Sequence, residues 1–256
     1  MKITFLGTGT SQGIPVIGCQ CEVCSSANPK DKRLRSSILI ETEETRIVID
    51  TGPDFRQQML REKVSKLDAV LFTHEHKDHT AGLDDIRAFN FLQKKDMPLY
   101  GTTKVLNQIK QEFAYIFAEK RYPGIPQVEL HEITKEKSFF VEKVKIMPIE
   151  VFHYRLPVLA FRIGNFTYIT DANYIASEEM AKIYGSKILV VNALQKDKHI
   201  SHYNLEEAIA LAQHIGAEKT YFTHISHKMG LHEQVSKELP QNVFLAYDGL
   251  SLVLDT

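Results

Sequence analysis

The stretch from Asp68 to Gly82, DAVLFTHEHKDHTAG, constrains this chain more than any other part of it. An apolar run, Ala69 to Phe72, leads into His74, His76, Asp78 and His79, three imidazoles and a carboxylate within six residues. Packing three histidines together without a cation would leave ring nitrogens unsatisfied, at about 1–3 kcal/mol each. The alternation of His74 and His76 lets both face one metal, and the turn through Asp78 and His79 reaches a second close by. Ligands placed this way belong to a loop leaving the end of a packed strand.

The rest of the chain has to hold that loop still. At 256 residues it can bury a full core, and no linker, repeat or low-complexity segment divides it, so one domain over residues 1–256 is expected. A formal net charge of −1 provides no overall positive field for nucleic acid or an anionic membrane. Lys30, Lys32, Arg33 and Arg35 make one short basic cluster, read as a solvated loop. The start, MKITFLG, lacks an apolar signal segment, and no apolar run reaches the roughly 18 residues that span a bilayer, so the cytoplasm is the expected location. All three cysteines, Cys19, Cys21 and Cys24, lie within six residues. Their odd number and close spacing suit a metal better than a disulfide framework.

Hydrophobic periodicity predicts strands at Ile3–Leu6, Ser37–Glu41, Arg46–Asp50 and Asp68–Phe72. Helices are expected at Leu83–Gln93 and Thr103–Phe117. After the Pro123-Gly124-Ile125-Pro126 break come strands Val128–Ile133, Val144–Phe152, Val158–Ile163 and Phe166–Thr170, the last two joined by a tight turn at Gly164-Asn165. A second mixed half follows. Its helices are Ser177–Tyr184, Leu205–His214 and Glu233–Glu238, and its strands Ile188–Asn192, Thr220–Thr223, Val243–Ala246 and Leu250–Leu254. Two strand-rich halves with interspersed helices suggest an α/β sandwich of four layers, α/β/β/α.

The THxHxDH motif resembles the signature of the metallo-β-lactamase superfamily. That resemblance implies three further ligands at strand ends: His153 in VFHY, Asp171 in YITD and His224 in YFTH. It implies one metal on His74, His76 and His153, another on Asp78, His79 and His224, and Asp171 bridging them. Two adjacent metals activate water and clamp the attacking and leaving oxygens of a displacement, which suits phosphoryl substrates. Imidazole-rich sites suit zinc, with manganese or iron the alternatives.

The Cys19-x-Cys21-x-x-Cys24 run reads as three ligands of a closed structural zinc site, with His227 as the fourth. Together with the opening GTGTSQGIP and the terminal HISH, this cluster resembles the PhnP branch of the superfamily, cyclic phosphodiesterases related to ribonuclease Z. The resemblance implies a small phosphodiester substrate such as phosphoribosyl cyclic phosphate. It also implies that His202 protonates the leaving oxygen, as an imidazole can at neutral pH. His199 competes for that role, and Asp78 would orient the attacking water as well as bind metal. No glycine-rich basic insert supplies an RNA-binding arm, so nucleic acid and membrane are not expected partners, and a homodimer stays open. A ribonuclease Z-like nuclease and a non-hydrolytic binding or redox module are the competing functions. Tyr154 and Arg155 are candidate pocket residues, His232 a candidate neighbour of His227, and His131 and His214 carry no motif.

Overall fold

The computed structural model describes residues 1–119 and 122–254. Two seven-stranded sheets make its centre. The first runs β14 (Ser251–Val253), β1 (Lys2–Gly7), β2 (Ser37–Glu41), β3 (Arg46–Ile49), β4 (Ala69–Leu71), β5 (Met97–Gly101), β6 (Val128–Glu132). The second runs β13 (Val243–Leu245), β12 (Lys219–Thr223), β11 (Ile188–Asn192), β10 (Phe166–Tyr168), β9 (Leu156–Ile163), β8 (Val144–His153), β7 (Phe139–Val141). Each sheet is antiparallel on one side and parallel on the other. In the first the change comes at β3, and in the second at β10.

The side-chain period of two sorts the strands into layers. Ile38, Ile40, Ile47 and Ile49 face the layer between the sheets and meet Phe161, Phe166, Tyr168 and Val190 of the other sheet. Leu39 and Val48, between them in sequence, point outward to Phe55, Met59, Phe89 and Ile109. Those belong to α2 (Phe55–Arg61), α4 (Arg87–Gln93) and α5 (Thr103–Glu112). On the opposite side Val191 and Phe222 pack on Ala208, Leu211 and Ile215 of α7 (Leu205–Ile215) and Val235 of α8 (His232–Glu238). Strands covered on both faces must be apolar throughout, which is why β2, β3 and β11 read as continuous runs. The α/β/β/α sandwich is the observed fold.

Three short helices, α1 (Glu22–Ser25), α3 (Lys77–Thr80) and α6 (Ser177–Met180), complete the described set. The expected helix Leu83–Gln93 begins as a 3-10 turn, Leu83–Ile86, before α4. Thr103–Phe117 leaves α geometry after Glu112, and the Ser177–Tyr184 helix stops at Met180. Strands β5 and β7 and helices α1, α2 and α3 have no counterpart among the elements expected from the sequence. Pro98 and Gly101 disguise β5, which is held on both sides by β4 and β6. Among the described residues no helix is long and apolar enough to cross a membrane.

Candidate metal centre

The two sheets release their ligand-bearing loops at a common end. His74, His76, Asp78 and His79 follow β4, His153 closes β8, Asp171 follows β10 and His224 follows β12. Close backbone packing sets the first loop. The Asp50–Gly52 segment docks on α3 through Thr51 N to His79 O at 2.8 Å and Gly82 N to Thr51 O at 2.8 Å. A Cβ on Gly52 would lie 2.1 Å from Asp78 O, and one on Gly82 2.1 Å from Gly52 O. Only glycine fits at either place. Asp50, Asp171 and His224 have φ of 66°, 51° and 55°, a left-handed backbone costing about 1–3 kcal/mol apiece without glycine. The sandwich holds this strain where the chain must turn its side chain into the site.

The donor atoms converge. His74, His79 and Asp171 form one group of mutually close donors, Asp78, His79 and His224 a second, and His153, Asp171 and His202 a third, each within 4.8 Å. Asp171 belongs to the first and third groups and reaches into the second: its Oδ2 lies 3.1 Å from His79 Nε2, and its Oδ1 lies 3.2 Å from His224 Nε2 and 2.9 Å from His202 Nε2. His76 sits at the exposed rim, its ring centroid 4.5 Å from that of His74 and 5.3 Å from that of His153. The structure thus gathers all seven expected ligands. It also places His74 beside His79, across the division between the two implied metal sets.

A cation fits this cluster. Buried His74 Nε2, His79 Nε2 and His224 Nδ1 have no hydrogen-bond partner. The opposite nitrogens of two rings are anchored. His79 Nδ1 donates to Asp50 Oδ2 at 2.7 Å, and Thr73 Oγ1 donates to the same oxygen at 2.8 Å while accepting from His74 Nδ1 at 3.0 Å. Asp50 therefore sets the tautomer of both rings, leaving each Nε2 lone pair for a metal. His153 Nδ1 is similarly tied to Ser201 O at 2.9 Å. Asp50 carries no motif signal. The only hint in the sequence is an acid closing an apolar strand ahead of Thr51-Gly52.

Electrostatics favour the same occupant. Burial holds His74 well below the ordinary imidazole range, lowers His153, and brings His224 down to about 4, so these rings stay neutral. Burial opposes ionisation of Asp171, but His224 and His79 outweigh it and keep the carboxyl well below its usual range. Burial likewise opposes charge on Asp78, and His79 overcomes it. On His79 itself, Asp78, Asp171 and Asp50 outweigh burial and raise the pKa well above normal. That excess of buried negative charge is what a divalent ion neutralises.

His202 is buried rather than on the surface, and it belongs to the centre. Its segment is held by Tyr203 N to Ala172 O at 2.8 Å. A capping box at the start of α7 then follows, Glu207 N to Asn204 Oδ1 at 2.8 Å and Asn204 N to Glu207 Oε2 at 3.0 Å. His199 stands one shell out, its Nδ1 3.2 Å from His202 Nδ1.

A second cluster lies in the loop after β1. Cys19 and Cys21 Sγ are each 3.3 Å from His227 Nδ1, and Cys24 Sγ is 3.6 Å away. A tetrahedral zinc with its usual bond lengths puts sulfur and nitrogen about 3.5 Å apart. The four residues fit such an ion. His232 does not join them: its Nδ1 accepts from Arg33 at 3.1 Å, and its backbone N–H donates to Asp31 at 2.7 Å. Arg33 is also a correction to the solvated basic loop. It is buried, donating to Thr8 Oγ1 at 2.7 Å and Ala246 O at 2.5 Å, because a fully donating guanidinium can be buried where acceptors surround it. His131 stacks on Tyr100, and Tyr184 pairs with His214, both away from the centre.

Comparison with known proteins agrees with this geometry. Residues 45–225 match the beta-lactamase superfamily domain. A solved structure described as a new diphosphatase from the PhnP family is 39% identical, with a TM-score of 0.92 covering 98% of this chain and 96% of that one. The short form of human tRNase Z superposes with a TM-score of 0.72 over 100% of both chains at 20% identity, a likeness of fold alone. A protein of Porphyromonas gingivalis named octanoyltransferase is 39% identical over 257 residues, 100% of this chain but 52% of its own length. This chain therefore spans about half of that relative. With the family matched across most of the chain and a cation-ready centre in the expected place, the protein belongs to the PhnP family of the metallo-β-lactamase superfamily.

Proposed function

We propose that the protein is a phosphodiesterase acting on small phosphodiesters, cyclic ones such as phosphoribosyl cyclic phosphate among them. The observation that carries this reading is an imidazole beyond the ligand set: His202 Nε2, 2.9 Å from the shared carboxylate Asp171. His74, His76 and His153 would hold one divalent ion, Asp78, His79 and His224 another, with Asp171 between them. When bound, zinc or manganese at these positions supplies Lewis-acid polarisation and acidified water. His202 donates the proton that an alkoxide leaving oxygen needs, and Asp78 orients the attacking water. Asp50 and Thr73 hold His74 and His79 in the ligand tautomer.

The related structure named a diphosphatase favours a second reading within the same chemistry, a P–O–P bond in place of a diester. The octanoyltransferase name supports no acyl-transfer reading at this centre. Covalent acyl transfer needs an activated nucleophile, and all three cysteines of the chain gather around His227. A ribonuclease Z-like activity would need an RNA surface that a chain of net charge −1 does not advertise.

The test is a substrate screen on metal-reconstituted protein with metal content measured on the same preparation. The panel is bis(p-nitrophenyl) phosphate, cyclic nucleotides, phosphoribosyl cyclic phosphate, a dinucleoside diphosphate and a structured RNA. Turnover of the diesters is expected. Cleavage of the diphosphate alone would move the assignment to the second reading, and cleavage of RNA alone would overturn both.

A further inference from the structure

Exposed apolar side chains gather at the rim of the metal centre. Ile200 is 68% exposed and Tyr154 49%, and Tyr174 is exposed on the neighbouring loop. Large hydrophobic groups scattered singly need no explanation, but a group of them beside a catalytic centre does. These three come from separate loops, and Asn173 ties the loops together. Its Oδ1 accepts from Tyr154 N at 2.8 Å and its Nδ2 donates to Ile200 O at 3.0 Å. Tyr154 is held at φ 58°, a backbone region that bulky residues avoid. Strain and a dedicated clamp together hold the Tyr154 backbone in one conformation, which fixes where its side chain leaves the chain.

Beside it opens a cavity of about 490 Å³, lined by His76 and His153 on one side and by Tyr154, Arg155, Leu156 and Ile200 on the other. Pockets for small organic ligands measure about 300–1,000 Å³, so a bare phosphate would leave this one largely empty. The Arg155 guanidinium lies 5.2 Å from the Tyr154 ring centroid, an attraction that steadies the ring further.

We infer that this cavity is the subsite for one organic arm of the substrate, and that the arm is a planar ring lying against Tyr154 and Ile200 while the phosphoryl end meets the metals. The inference rests on the phosphodiesterase reading and adds a specificity to it: small phosphoryl compounds with a flat apolar group are preferred over those with a short alkyl group. Tyr154 and Ile200 select the substrate, and Asn173 is a positioning residue that holds both.

Calorimetric titration of the metal-reconstituted protein with phenyl phosphate and methyl phosphate separates the arm from the phosphoryl group. Wild type is expected to bind phenyl phosphate about tenfold more tightly, the size of a single aromatic contact. Tyr154→Asn, which tolerates the left-handed backbone, should abolish that preference while leaving methyl phosphate affinity and metal content unchanged. Tyr154→Phe should keep the preference, and Ile200→Ser should reduce it. Equal affinity for the two esters in wild type, or a preference surviving Tyr154→Asn, would overturn the subsite. Failure of both esters and of inorganic phosphate to bind would overturn the phosphodiesterase reading itself.

Discussion

The two clusters of this protein that could hold a metal are built in opposite ways. The imidazole–carboxylate centre draws His74, His153, Asp171 and His224 from four strand ends in two sheets, buries most of its donors, and places Asp171 and His224 in left-handed backbone. The cysteine cluster draws Cys19, Cys21 and Cys24 from one short segment that ends in α1, leaves Cys21 exposed, and borrows only His227 from elsewhere. The first is a product of the whole sandwich. The second is a local clip, yet it grips the same loop: Ile225 N bonds Thr8 O at 2.9 Å and Thr10 N bonds Ile225 O at 3.1 Å, between His224 and His227. Chemistry is concentrated where the strain and burial are, and the clip lies where a folding constraint helps.

The contrast is open to direct attack. Asp171→Ala removes the carboxylate that touches all three donor groups. Turnover should fall by about 10⁴-fold or more, at or beyond the upper end of what losing a proton-transfer group costs, and bound metal should fall with it. Elemental analysis and turnover on one preparation check this, and retained activity would break the dinuclear assignment.

His202→Ala should cost about 10²–10⁴-fold in turnover with metal content near wild type. The loss should be large for a diester with an alkoxide leaving group and small for p-nitrophenolate, which leaves without a proton. A fall in metal content would make His202 a ligand, joining His153 and Asp171. An equal loss on both leaving groups would make it a phosphate contact.

Asp50→Asn tests whether the strain and hydrogen bonds behind the centre matter. Losing a partner of this kind typically lowers metal affinity by about 10–100-fold. Competition with a chelator would show it, and an unchanged affinity would mean that Asp50 does not set the tautomers of His74 and His79.

The smallest catalytic effect belongs to the clip. Cys21→Ser should leave turnover within about twofold yet lower Tm by about 5 °C or more, because a structural zinc site contributes folding free energy. Equal metal content and equal Tm would show that the cluster holds nothing. In chelator-treated protein the Cys24 backbone N–H and His227 bring the Cys21 thiol down to about 6, whereas burial pushes Cys24 up to about 11. Only the thiolate reacts with iodoacetamide. Cys21 should therefore be alkylated above about pH 6, lose that reactivity as the pH falls below it, and react before Cys24 throughout the neutral range. Peptide mapping across pH 5–8 would show the reverse order if the assignment is wrong.

The fold and the ligands were legible to different extents. The continuous apolar runs at Ile38–Ile40 and Ile47–Ile49 revealed strands, and HxHxDH marked a candidate cation site, because both are local patterns. Strand β5 was hidden by Pro98 and Gly101, and the helices Thr103–Phe117 and Ser177–Tyr184 ended early, since neighbouring strands and packing overrule propensity. His153, Asp171 and His224 were found only through resemblance. Each is a lone residue at a strand end, and nothing in its own vicinity marks it as a ligand.

The sequence by itself marked a cation-binding pattern, the residue types suited to it, and a cysteine cluster beside it, because spacing within a loop limits where side chains can point. Only the tertiary structure decided that Asp171 reaches all three donor groups, that Asp50 orients His79 directly and His74 through Thr73, that Arg33 is buried, and that Tyr154 and Ile200 share a rim. Those relations join residues tens to hundreds of positions apart. They exist only once the two sheets have stacked and brought their strand ends to one edge.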